Sequence, residues 1–260
     1  MAVYSYSRLE TFEQCRLKFK YKYIDKIIPE IPKSIEAHLG GSVHKTLEWL
    51  YSQLIEKKIP SIDEVIMHYS EKWAEENMSK MLIVNKFAKE KDYFDKGVKF
   101  LIDYYFKHRP FKSNTIAVEK KIEINLDEAG DKKLVGFIDR LVHNVEKNEM
   151  EIHDYKTANT FPRKEDLEKN RQLALYSIAI KEEFGREKDI SLIWHFLAYN
   201  EEVCIKKTDK QLEDLKKEVI ELIDKIEATK TFPPNIQKLC DWCEYKNICE
   251  GWNSQKKNFS

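Results

Sequence analysis

The chain has 260 residues, 42% of them hydrophobic and 35% charged, with seven Gly and seven Pro, which allows a buried core and excludes a disordered chain. Its 45 basic and 45 acidic residues cancel, so net charge does not mark a nucleic-acid binder and local clusters must carry any such reading. Met1 to Glu10 lacks a leader-like apolar run and no later stretch reaches the ~18 apolar residues that cross a bilayer, so the chain is read as soluble and cytoplasmic, with no membrane partner.

Ser7-Arg8-Leu9-Glu10 has capping-box form, and Phe12, Cys15, Phe19 and Tyr23 follow at helical spacing. A first helix is therefore predicted over 7–24, with Cys15 on its apolar stripe. Its second half, CRLKFKYKYIDK, interleaves Arg16, Lys18, Lys20, Lys22 and Lys26 with Phe19, Tyr21 and Tyr23. That composition suits phosphates and stacked bases, and it equally suits an amphipathic helix with a solvated basic face. After IIPEIP, helices are predicted over 34–58, 61–80 and 84–108, a helical part spanning 34–110.

From Thr115 the period changes to two. Ile116, Val118, Ile122 and Ile124 alternate with polar residues, and Leu134–Ala158 reads as two strands and a turn. A helix over 164–184, a strand pair in DISLIWHFLAYN and EEVCIKK, and an amphipathic helix over 209–228 follow. The fold class expected is α/β or α+β, a mixed central sheet at 115–207 with helices covering it, in one domain of residues 1–260.

The hairpin holds the first chemical signal. A turn centred between Glu146 and Lys147 pairs residues whose numbers sum to 293, so Asp139 faces Asp154. Alternation puts Lys156 on the face of Asp154, Ile152 and Met150, and Asp139 with Phe137, Val135 and Leu141. Opposed carboxylates on an apolar face are costly unless a cation lies between them. A divalent metal supplies one; a buried salt bridge to Lys156 is the alternative. Gly136 leaves room for a close approach nearby. His44, among Val43, Leu47 and Leu50, reads alone as a core histidine. Gln172 and Tyr176 share a helix face, and Glu119 reads as well as a solvated strand residue as a functional one.

The second signal is CDWCEYKNICEGW, which sets Cys240, Cys243 and Cys249 as C-x2-C-x5-C in a tail over 236–252. Such spacing in a reducing compartment points to shared ligation. Helical periodicity favours Cys15 as the fourth ligand, whereas Cys204 alternates onto a polar strand face and is left as a free thiol. The tail then packs with the first helix. Spacing leaves zinc and a [4Fe-4S] cluster open, since both accept four thiolates.

Four motifs occur in order: Gly40-Gly41-Ser42-Val43-His44, Gly136-Phe137-Ile138-Asp139, Asp154-Tyr155-Lys156 and Gln172-Leu173-Ala174-Leu175-Tyr176. Together they resemble the PD-(D/E)xK nucleases, and within them the RecB-like exonucleases that include the AddB nuclease domain and the iron-sulfur CRISPR-associated nucleases. The resemblance spans Ser5 to Cys249. It implies a restriction-endonuclease-like core and a catalytic Mg²⁺ or Mn²⁺ held by His44, Asp139, Asp154 and the Tyr155 carbonyl. It also implies Lys156 beside the attacking water, with Gln172 and Tyr176 near substrate and water. One early cysteine plus a C-terminal C-x2-C-x5-C is similar to the iron-sulfur members, which favours the [4Fe-4S] cluster over zinc; Arg16 stands where those members commonly have Pro.

The function implied is a metal-dependent exonuclease on single-stranded DNA ends in repair, recombination or CRISPR adaptation. Its partners would be a helicase or CRISPR adaptation proteins, because no Gly-x-x-x-x-Gly-Lys-Ser/Thr phosphate loop occurs here. An iron-sulfur module that binds DNA ends without cutting is the competing reading. A restriction-type endonuclease would need a base-reading element that the sequence does not show.

Overall fold

The computed structural model describes residues 2–31, 33–76, 81–127 and 129–257. Strand β1 (Ala2–Ser5) leads into helices α1 (Tyr6–Gln14) and α2 (Arg16–Phe19), the latter running on as a wide turn over Lys20–Ile24. The helical part holds α3 (Ile35–Ile55), α4 (Ile62–Ala74) and α5 (Glu90–His108), with a two-residue pair, β2 (Lys33–Ser34) and β3 (Met81–Leu82). Residues 77–80 of the helix predicted over 61–80 lie outside the described residues. Then come β4 (Thr115–Asn125), β5 (Lys132–Asn144), β6 (Glu149–Lys156), α6 (Lys164–Glu168), α7 (Gln172–Phe184), β7 (Ile190–Phe196), β8 (Glu201–Lys206), α8 (Asp209–Ala228) and α9 (Glu250–Lys257).

The sheet is mixed. Its order is β1-β5-β6-β7-β8 with β4 on β5, parallel at β1–β5 and β6–β7 and antiparallel elsewhere. Because β4 occupies one edge of β5 from Lys133 to Val142, β1 and β6 share the other. β1 takes residues 132–135 of β5 and β6 takes 140–144. Residues 136–139 of β5 have no ladder partner on that edge, and the site opens there.

Each face of the sheet meets helices. Leu9 and Phe12 of α1, Leu173 and Ile180 of α7, and Leu215 and Val219 of α8 pack with Ile124, Leu134 and Ile152. Val43 and Leu47 of α3, Tyr69 of α4 and Leu101 of α5 form the second core, which reaches the sheet at Tyr155. Local signals set the helix ends: Ser61 Oγ accepts the Glu64 N–H while Glu64 Oε2 accepts the Ser61 N–H, a reciprocal cap that Thr208 and Gln211 repeat.

Three sequence expectations need correction. The first helix is capped by Ser5, whose Oγ accepts the Arg8 N–H at 3.2 Å, and it breaks at Cys15, where φ is −160° and ψ 112°. The helix expected over 164–184 breaks similarly between Glu168 and Gln172. Strict alternation fails in β5: Ile138 and Leu141, an odd step apart, lie in the same core, while Arg140 lies over the Tyr51 ring at 4.1 Å on the other side. The strand therefore turns over at Asp139 and Arg140, so Asp139 does not share a face with Leu141.

The base-stacking reading of residues 15–26 also fails. Phe19 is buried in the core, Tyr23 packs against it, and Tyr21 rests on Tyr245 with ring centroids 5.6 Å apart. Lys18 lies 2.8 Å and Lys22 3.9 Å from the Glu244 carboxylate, and Lys20 pairs with Asp25 at 2.7 Å.

Beneath the second core lies a polar layer of Arg140, His153 and His195, with His108 at its rim. Burial above all, aided by the Arg140 guanidinium, holds His153 and His195 well below the usual imidazole range and lowers His108 to about 3. Neutral in the fold, they protonate near pH 6.5 only when the chain unfolds. Their stabilisation is full above that pH and lost as pH falls below it, at up to about 1.4 kcal/mol per pH unit for each histidine. Urea midpoints should thus drop between pH 7 and pH 5 by more in the wild type than in His108→Gln, which has no ring there to protonate on unfolding; an equal pH dependence in the two would mean that the His108 ring is solvated.

Candidate active site

The site lies where β5 and β6 part. Paired residues in the ladder from Arg140–His153 to Asn144–Glu149 sum to 293, and the next step would join Asp139 to Asp154. Instead the Tyr155 N–H donates to Asp139 Oδ2 at 3.0 Å. A side-chain carboxylate takes the place of a strand carbonyl there, which fixes Asp139 at the mouth of the gap.

Helix α3 brings His44 to the same point. Its Nε2 donates to the Tyr155 carbonyl at 2.7 Å, and its Nδ1 lies 3.3 Å from Asp139 Oδ2. Burial alone would lower its pKa, but the Asp139 carboxylate and the Tyr155 carbonyl overcome that and hold the ring up to about 9. Asp139 moves oppositely: burial would raise it, and His44 with the Tyr155 N–H brings it below the ordinary range. The ring thus carries a positive charge between two groups that suit a cation, the Asp139 carboxylate and the Tyr155 carbonyl.

Asp154 is 4% exposed, and burial together with nearby Asp139 raises its carboxyl despite Lys156. Lys156 Nζ lies 3.0 Å from Oδ1 and 2.7 Å from Oδ2. The Oδ2 contact is an ion pair without hydrogen-bond direction, and this buried oxygen has no hydrogen-bond partner among the described residues. An oxygen lone pair is therefore left for a cation. Lys156 also donates to Gln172 Oε1 at 3.3 Å.

Gly136 explains how α7 reaches the site. A Cβ there would stand 2.4 Å from Tyr176 Cε1 and 2.8 Å from its hydroxyl, so the Tyr176 ring lies directly on the strand backbone. Tyr176 is 5% exposed and has nowhere to retreat. Gly136→Ala should cost about 1–3 kcal/mol by overpacking and reduce hydrolysis by disturbing α7. A double-mutant cycle with Tyr176→Ala checks this: most of the cost should vanish in the double variant, and simple additivity would show that the ring is not the obstacle.

One feature was left open by the sequence and one was not read from it. Glu119 lies between Val118, paired with Arg140, and Lys120, paired with Ile138, and its carboxylate, Asp139 and His44 each place a ligand atom within 4.8 Å of the others. Burial first, then Asp139 and Glu48, raise Glu119 to about 7; its φ of +44° reflects the irregular β4. Helix α1 also sets Glu10 and Tyr6 within electrostatic reach of Lys156. The β4–β5 register was the signal available for Glu119; nothing in the sequence pointed to α1.

Cys15, Cys240, Cys243 and Cys249 line one cavity of about 50 Å³, with Leu17, Ile236 and Leu239 among its walls. The Asn235 N–H approaches Cys15 Sγ at 3.4 Å, and the Gln237 N–H approaches Cys240 Sγ at 3.4 Å. The break at Cys15 is what places that thiol at the tail. No three cysteine sulfurs among the described residues come within 4.8 Å of one another. Cys204 is exposed on β8, paired with Ile193.

No helix among the described residues is long and apolar enough to cross a membrane. A solved structure titled "Crystal structure of SSO0001" is 14% identical and covers 91% of this chain and 94% of its own, with a TM-score of 0.40, too low to carry an argument. No curated protein matches the sequence. The profile of the PD-(D/E)XK nuclease superfamily matches residues 3–250, nearly the whole chain, and the mixed, helix-flanked sheet agrees with it. The chain belongs to the PD-(D/E)XK nuclease superfamily and is a phosphodiesterase of that kind.

Proposed function

We propose that the protein is a metal-dependent exonuclease acting on single-stranded DNA ends, with a [4Fe-4S] cluster tying its first helix to its tail. The observation that carries the nuclease centre is the meeting of His44, Asp139 and the Tyr155 carbonyl, with Asp154 and its partner Lys156 on the flanking positions of β6 and within electrostatic reach of Asp139.

The donor set fits a hard divalent ion. Carboxylate and carbonyl oxygens suit Mg²⁺, and one imidazole makes Mn²⁺ competitive. Asp154 Oδ2, ion-paired with Lys156 but without a hydrogen bond among the described residues, supports the same reading. When bound, the ion supplies charge neutralisation at the phosphoryl oxygens and an acidified water. His44 would give up a proton to serve as a ligand. Lys156, steered by Asp154 and Gln172, keeps its ammonium beside the attacked phosphate and the water. Tyr176 holds α7 against β5, which fixes Gln172 in turn.

The four cysteines around one cavity support the cluster. A [4Fe-4S] cluster accepts four thiolates set around one cavity, and the two N–H···S contacts are the partners that a thiolate needs. A helicase or CRISPR adaptation proteins are the partners this reading implies. Linear and circular single strands separate the alternatives: an exonuclease degrades only the linear form, cutting of circles would show endonuclease action, and binding of ends without hydrolysis would leave the end-binding module.

A further inference from the structure

We propose that His108, His195 and Glu202 form a second metal site, suited to Zn²⁺, that pins the end of α5 to β7 and β8. His108 closes α5, His195 lies on β7 and Glu202 on β8, and each places a ligand atom within 4.8 Å of the other two. His108 Nε2 is 3.4 Å and His195 Nδ1 4.0 Å from Glu202 Oε1. A zinc with bonds of about 2.0–2.1 Å holds such atoms roughly 3.3 Å apart, so closure needs shifts of under about 1 Å.

The hydrogen-bond chain behind the site fixes the relevant tautomer. His153 Nε2 faces Glu151 Oε2 at 3.2 Å and must carry the proton. His153 Nδ1 is then an acceptor, approached by Arg140 Nη2 at 2.7 Å and by His195 Nε2 at 2.8 Å. His195 therefore bears its proton on Nε2, and Nδ1 keeps a bare lone pair aimed toward a carboxylate. His195 is 2% exposed, and neither its Nδ1 nor His108 Nε2 has a hydrogen-bond partner among the described residues.

The bare His195 Nδ1 facing a carboxylate calls for a cation, and His108 Nε2, 3.4 Å from the same oxygen, serves as a further ligand in the tautomer that carries its proton on Nδ1. Lys107 Nζ approaches Glu202 Oε1 at 3.3 Å while donating to the Asn200 carbonyl at 2.7 Å, which balances the carboxylate and leaves the imidazoles unserved. Two neutral imidazoles select a transition metal over Mg²⁺. With three protein ligands, water completes the tetrahedron at the exposed Glu202 side. His195 already has the outer partner, His153, that orients a ligating ring.

The test is equilibrium dialysis of the chelator-treated full chain against Zn²⁺ in excess Mg²⁺. His108→Gln should bind one zinc fewer than wild type. Glu202→Gln, an exposed change that leaves the fold alone, should weaken the same equivalent at least ~10-fold; Lys107→Met should tighten it. Co²⁺ separates this site from the cysteines, because it should add d–d absorption without a thiolate charge-transfer band, an increment that His108→Gln removes. Equal zinc content and affinity in wild type, His108→Gln and Glu202→Gln would overturn the proposal.

Discussion

Lys156→Ala is expected to lower hydrolysis by at least about 10²–10³-fold, with single-strand binding and the fold retained. Among the described residues the ammonium is the one positive side chain paired with Asp154, and in the proposed mechanism it would stand where charge develops on the scissile phosphate. Removing a partner from a buried pair ordinarily costs about 3–5 kcal/mol. Here Asp154 already has its carboxyl raised by burial, so it can take up a proton and limit that cost. Asp154→Ala should be as inactive. Asp139→Asn should keep the acceptor for the Tyr155 N–H yet lose the charge, so Mn²⁺ should bind more weakly by calorimetry; equal affinity would remove Asp139 from the ligand set. A Lys156→Ala protein that digests DNA at the wild-type rate would refute the assignment.

The second large effect concerns the cysteines. Protein purified without oxygen should be brown, absorb broadly near ~400 nm and hold about four irons. Replacing Cys15, Cys240, Cys243 or Cys249 by Ala should bleach it and lower its stability; Cys204→Ala should do neither. The segments that meet at this cavity are about 220 residues apart, and a cross-link over such a loop restricts the unfolded chain by roughly 5 kcal/mol at most. A colourless anaerobic preparation with one zinc would replace the cluster and keep the ligands. Loss of metal in Cys204→Ala but not in Cys15→Ala would move the fourth ligand to β8, away from a cavity that its side chain does not line.

The β5–β6 register was legible because a short turn and period-two patterning leave one pairing that buries Ile152 and Leu141. The mixed sheet under helices followed from the change of period at Thr115. Local breaks were not legible. Cys15 continues the apolar stripe in sequence, yet the chain is extended there, since tertiary contact with the tail overrides helical propensity. β1 was invisible because four residues carry no usable period, though it sets one wall of the gap at Asp139. Glu119 read equally as a functional and as a solvated strand glutamate until Asp139 and His44 stood beside it. His108, His195 and Glu202 come from three elements, so no spacing could announce them.

The most direct test incubates purified protein with single strands labelled at the 5′ or the 3′ end, in Mn²⁺, in Mg²⁺ or in EDTA, beside the Lys156→Ala variant. Release of label with Mn²⁺ or Mg²⁺, none in EDTA and none from the variant is the expected result. Hydrolysis that persists in EDTA, or that the variant performs as fast as wild type, would contradict a metal-dependent centre at Asp139, Asp154 and Lys156.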